Sequence, residues 1–192
     1  MVDIESLYIE SMYKKENGSI LIEIKLSSIA QLFNSFDPAP FHDKELDYAA
    51  EQYIVGIVKD FPSKTRFKII IHLPQEFATG KDSQTIAPAI HNHFLYKMLV
   101  SEMEFRSHFR HGRSSLLIGL IFLMIALLAR QLVSSLNNHI LVQLFADALL
   151  IIGWAAMWEP VTILLYELWP IIKMKKIYEK ISTMEIDILS ST

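Results

Sequence analysis

The chain has 192 residues, with 18 Lys and Arg against 21 Asp and Glu, a net charge of −3, and 52 % of its residues hydrophobic. Mixed charge without a basic stripe excludes a nucleic-acid surface, and the absence of cysteine excludes disulfides and thiolate metal centres. The length leaves room for one modest soluble domain beside a membrane segment, and for no second large core.

Residues 1–83 have ordinary globular composition and are expected to form a cytosolic α+β domain. The opening MVDIESLYIE is acidic and lacks an apolar core, so it does not read as a signal peptide. Ile4–Tyr13 and Ser19–Leu26 favour extended structure, with Ile20, Ile22 and Ile24 on one face of the second strand. Asn17-Gly18 between them tolerates the positive φ of a hairpin turn. Pro38 and Pro40 then impose an irregular loop. Asp43 or Asp47 is placed to cap a helix over Ala49–Phe61, whose apolar Ala50, Tyr53, Ile54, Ile57 and Val58 have helical spacing. RFKIIIHLP, ending at Pro74, is a β-branched strand. A strand, a helix and a strand in this order form a right-handed crossover if the strands are parallel neighbours. The expected fold class is therefore α+β: a small cytosolic sheet with helices on one face, plus a two-helix transmembrane hairpin.

Gln75–Gln84 is a polar connector. Residues 84–113 read as an amphipathic helix leading to the membrane, with Ile90, Phe94, Met98, Phe105 and Phe109 recurring at three- or four-residue multiples. Gly112 either kinks this helix or lies within a continuous one. Residues 114–158 form the hairpin. Its spans, 114–133 and 140–158, each match a hydrocarbon core of roughly 30 Å. The connector Ser134–His139 has no Lys or Arg, whereas Arg106, Arg110 and Arg113 precede the first span and Lys173, Lys175 and Lys176 follow the second. Basic residues are retained on the cytoplasmic side, so both termini are expected there, with the six basic residues against lipid headgroups.

A second span continuing to Leu168 would be about 43 Å long, too long for an untilted crossing. An exit near Trp158 is preferred, with Pro160 in the first turn of a new helix. Residues 159–183 then form a basic interfacial segment that Pro170 bends or splits. Residues 184–192 contain MEIDIL, which alternates like a short strand able to join the sheet.

Candidate sites are few. Within the hairpin, Arg130 shares a stripe with Gly119 and Ala126, while Asp147 and Gln143 lie beside Ala146 and Gly153. Nearly matching depths below the outer turn, about 7 and 10 Å, bring Arg130 and Asp147 together as an intramembrane pair. Asp37, His42 and Asp43 occupy the Pro-constrained loop, where a carboxylate and an imidazole can serve acid–base chemistry or simply turns and caps. His91 and His93 point about 200° apart on a helix, so they share no metal without another element, although His108 and His111 can share a face. A structural role is favoured for all four. No catalytic residue, cofactor or metal site is assigned.

The loop FNSFDPAPF, the EQYIV and IHLP segments and the tail WEPVTILLYELWPIIKMKKIYEK together resemble a family of bacterial two-span inner-membrane proteins to which no activity is attached. The resemblance implies a cytoplasmic-membrane location and a hairpin topology, and it transfers no site residue. The leading functional expectation is a non-enzymatic scaffold or assembly protein that presents its cytosolic domain to a protein partner or to further copies of itself, amid membrane lipids. A small oligomeric channel or transporter subunit is the first alternative, and a membrane-surface enzyme using the 37–43 loop the second.

Overall fold

The computed structural model describes residues 10–39, 44–78, 83–136 and 140–191. The fold is mixed α and β, with a four-stranded sheet, a majority of helix and two long apolar helices. By its internal packing the chain divides into two units, the described residues up to Leu99 with those from Lys175 onward, and Val100–Met174.

The first unit starts at a tight turn. Asn17 and Gly18 have φ of 49° and 79°, the left-handed pair that lets two residues join twisted strands. They connect β1 (Lys15–Glu16) to its antiparallel partner β2 (Ser19–Lys25). The strand expected over Ile4–Tyr13 is not found in its described residues, and the partner of β2 is instead the two-residue β1 just after it. Glu10 and Ser11 are helical, Met12 and Tyr13 form a turn and a bend, and residues 4–9 lie outside the described residues. The chain then passes through a 3-10 turn, Ile29–Leu32, and α1 (Tyr48–Lys59) to β3 (Arg66–Pro74), which is parallel to β2. Parallel neighbours require such a crossover. Asp47 caps α1, its carboxylate accepting from Ala49 N–H at 2.9 Å. After one helical turn, α2 (Gln75–Ala78), comes α3 (Ser83–Leu136). The last strand, β4 (Glu185–Ser191), is parallel to β3 and gives the spatial order β1-β2-β3-β4.

Parallel pairing aligns side chains by face. Ile20, Ile22 and Ile24 lie beside Phe67, Ile69 and Ile71, and the last two beside Ile186 and Ile188. This face is the core, closed by Ile54, Val55, Ile57 and Val58 of α1 and by Ile86, Ile90 and Phe94 of α3. The opposite face mixes charged residues with Leu21, Ile70 and Leu189. Lys68, at its centre on β3, reaches Glu16, Glu185 and Asp187 at 3.2, 3.3 and 2.8 Å, and these carboxylates hold its ammonium well above the usual lysine range.

The second unit inverts this pattern. It contains the remainder of α3, then α4 (Ile140–Ala155), α5 (Trp158–Thr162), a π turn over Ile163–Glu167 and the start of α6 (Leu168–Ile181). Along its apolar stretches the buried residues are small, Gly119, Ala126, Ala146 and Gly153, whereas Ser101, Gly112, Pro160, Ile163 and Leu168 are buried on either side of them. A Cβ on Gly119 would stand 2.9 Å from the Ala156 carbonyl oxygen, and one on Gly153 would stand 2.9 Å from the Ala126 Cβ. Small residues at these positions allow the backbones to approach. Large side chains point outward, Leu117, Ile118, Met124, Leu128, Leu144 and Phe145 among them. The most apolar windows of the two long helical stretches have mean hydropathies of 2.5 and 2.0, and only 11 % of each window is buried.

Helix α3 has no break at Gly112, the second of the two outcomes open to that glycine, and runs through both the amphipathic and the apolar segments. After a turn at Ala156 and Met157 a new helix, α5, begins at Trp158 with Pro160 in its first turn, as expected, and a wider turn precedes Pro170. Leu168 N–H donates five residues back to Ile163 O, easing the crowding that a proline ring imposes on the carbonyl four residues before it.

Candidate functional site

The polar residues of the first unit converge where α1 meets α3. Glu51 lies on the apolar stripe of α1 and His93 on that of α3, and their side chains are 7 % and 2 % exposed. His93 Nδ1 accepts from Leu46 N–H at 3.2 Å, so the ring proton resides on Nε2 and is donated to Glu51 Oε2 at 3.1 Å. Lys97 Nζ adds a 3.1 Å contact to the same oxygen. The hydrogen bond from His93, reinforced by Lys97, holds the Glu51 carboxyl below the usual glutamate range against the opposing effect of burial. Both imidazole nitrogens are engaged, so His93 is fixed as a strut between α3, α1 and the Leu46 backbone. His91 likewise contacts Met184 O at 2.8 Å, joining α3 to the approach to β4.

The 37–43 loop is only partly described. Asp37 Oδ1 accepts from Ala39 N–H at 2.9 Å and Oδ2 from Glu45 N–H at 2.7 Å. These bonds, that of Glu45 first, hold its carboxyl below the usual aspartate range, which makes it a fastener for the loop and a weak base. His42 and Asp43 lie outside the described residues. A shallow depression of about 460 Å³ is lined by Asn34, Phe36, Asp37, Ala39, Glu45 and Tyr96.

In the second unit, Arg130 Nη2 stands 3.3 Å from Asp147 Oδ1, and the side chains are 46 % and 61 % exposed. Gln143, one turn before Asp147, is exposed as well. His108 Nδ1 donates to Glu104 O at 2.9 Å, and His111 lies 3.5 Å from Glu159. His108 and His111 therefore have separate partners, and among the described residues no group of His, Asp and Glu is arranged to hold a metal. Of the basic residues placed at headgroups, Arg106 pairs with Glu102 one turn away at 2.9 Å. Arg110, Arg113, Lys173 and Lys176 are exposed, and Lys175 is partly buried.

The buried His93–Glu51–Lys97 group is the feature that sequence reasoning did not assemble. Its trace is a histidine and a glutamate, each set on an otherwise apolar helical stripe, where a buried polar group requires a partner. No protein-family model, curated protein or solved structure matches the chain.

Proposed function

We propose that the chain is an integral membrane protein in which the second unit is an antiparallel transmembrane hairpin, and that the α/β unit is a cytosolic module for assembly rather than catalysis. The observation that carries this reading is the inverted burial of the apolar stretches 114–133 and 140–155, where glycine and alanine are inside and leucine, isoleucine and phenylalanine outside. Water gives no reason for that arrangement. Lipid does, because helices surrounded by hydrocarbon associate through close packing and not by hiding apolar area. The paired contacts Gly119–Ala156, Ala126–Gly153 and Arg130–Asp147 support an antiparallel hairpin, and basic residues at both of its inner ends support cytoplasmic termini. A bacterial inner membrane is the location implied by the resemblance in the loop and tail motifs.

The assembly role is supported by the fate of the candidate acid–base groups. His93, Glu51 and Asp37 spend their polar atoms on internal bonds that fix helices and loop. Such a domain presents a rigid surface. Alkaline carbonate extraction of membranes from expressing cells tests the spanning claim: the whole chain should remain in the pellet, and release into the supernatant would contradict it. Light-scattering mass of the detergent-solubilised protein then tests assembly, with a complex larger than one chain expected and a monomer at all concentrations the contrary result.

A further inference from the structure

Two charged side chains stand on the outer surface of the apolar helices. Arg130 and Asp147 touch through a single Nη2···Oδ1 contact of 3.3 Å, and each remains about half exposed or more. Apolar residues surround them, with Leu127, Leu128 and Leu144 all exposed. A guanidinium presents a fork of donors and a carboxylate two oxygens, so one long contact uses only part of either. In water this would be an ordinary surface pair. In the bilayer setting proposed above, on which this inference rests, charged groups are retained where their unused bonding capacity is met by another polar group.

An anionic lipid headgroup is a poor candidate for that group, because any phosphate approaching Arg130 would also face the Asp147 carboxylate. The patch carries both signs side by side and is therefore complementary to itself under a two-fold rotation, the requirement for an interface between identical chains. Gln143, exposed one helical turn from Asp147, extends the same polar stripe of α4. We propose that this stripe is the contact between two copies of the chain. Arg130 of each copy meets the partner's Asp147, and the four groups close a ring of alternating guanidinium and carboxylate in which every charge has two neighbours of opposite sign.

Charge exchange between chains tests this directly. Arg130→Asp makes the patch wholly acidic and Asp147→Arg makes it wholly basic. With two affinity tags in the same membranes, wild-type copies should co-purify. Each variant should lose self-association by at least tenfold, and the two variants expressed together should recover it. Wild-type chains that never co-purify, variants that self-associate like wild type, or a mixture without recovery would each overturn the proposal.

Like charges within one copy could also open the helix pair, so a second measurement leaves both charges in place. The chain lacks cysteine, and Gln143→Cys should give an oxidised dimer in membranes. Phe145→Cys, two residues on and so on the opposite side of α4, should not. Equal cross-linking at both positions, or none at either, contradicts the interface. Carbonate extraction of the same membranes separates the two claims: a chain that washes off overturns the spanning reading together with this one, whereas a retained chain that does not cross-link at position 143 overturns this one alone.

Discussion

The two units solve the packing problem in opposite ways. In the first, large branched and aromatic side chains fill the interior, Ile22, Ile54, Ile69, Ile71 and Phe94 among them, and the buried Glu51 and His93 enter as a network with Lys97. In the apolar stretches of the second, 114–133 and 140–155, the interior is a seam of glycine and alanine, and the large side chains face out. Burying branched apolar residues yields free energy only where the alternative is water. A seam of small residues yields close contact where the surroundings are already apolar. On the membrane reading proposed above, one chain is built for two solvents, and its units should fail for different reasons.

The largest effect is expected in the seam. Gly119→Val places a branched side chain against the Ala156 carbonyl, a backbone atom that cannot rotate away, and should cost about 3 kcal/mol. Gly112→Ala meets side-chain atoms rather than backbone, the Ile163 Cγ2 methyl at 2.9 Å and Leu164 at 3.2 Å, and should cost less, about 1 kcal/mol. Thermal unfolding in lipid nanodiscs followed by circular dichroism measures both. Equal losses would show that the seam is not a backbone contact.

Next comes the buried network of the first unit. His93→Ala leaves Glu51 without its ring donor and the Leu46 N–H without its acceptor, and should destabilise that unit by about 3 kcal/mol. The same network sets an acid limit. The His93 bond to Glu51, the Lys14 bond to Glu23 and the Glu45 and Ala39 amides at Asp37 place all three carboxyls below their unfolded values. Their contribution is complete above the unfolded values near pH ~4 and is lost as pH falls through the lower folded ones. Acid titration of the near-ultraviolet spectrum should show this loss, and Glu51→Gln should make it shallower. An identical curve for wild type and variant would remove Glu51 from the account.

The smallest effect has the opposite sign. Gly56 lies in α1 with helical geometry and nothing within 4 Å of an added Cβ. Gly56→Ala should stabilise the first unit by about 0.5–1 kcal/mol, read from the urea midpoint, because alanine has less freedom to lose on folding. A lower midpoint would mean that an unrecognised contact occupies that space.

Much of the sheet was legible because its signals are local. Alternation in SILIEIK, the β-branched run of RFKIIIHLP, the Asn17-Gly18 turn and the Asp47 cap each reside within a few residues, and each appears in the structure. The small residues Gly119, Ala126, Ala146 and Gly153 were legible from their stripes. What escaped depends on distance or continuity. Glu51 and His93 are 42 residues apart and meet only through packing. Lys68 reveals its central place only when Glu16, Glu185 and Asp187 arrive on neighbouring strands. Whether α3 runs unbroken is undecided by the sequence, because an isolated glycine such as Gly112 is compatible with either outcome, and the structure shows the continuous one.

The central claim, that the apolar unit crosses a membrane and returns, is tested most directly by which side of the membrane each segment reaches. In the cysteine-free chain, single cysteines at Asn137, Lys15 and Ser191 can be exposed in intact cells to a thiol reagent that does not cross membranes. The account predicts labelling at 137 alone, with 15 and 191 reacting only after the cells are opened. Labelling at 15 or 191 in intact cells, or protection of 137 there, would contradict it.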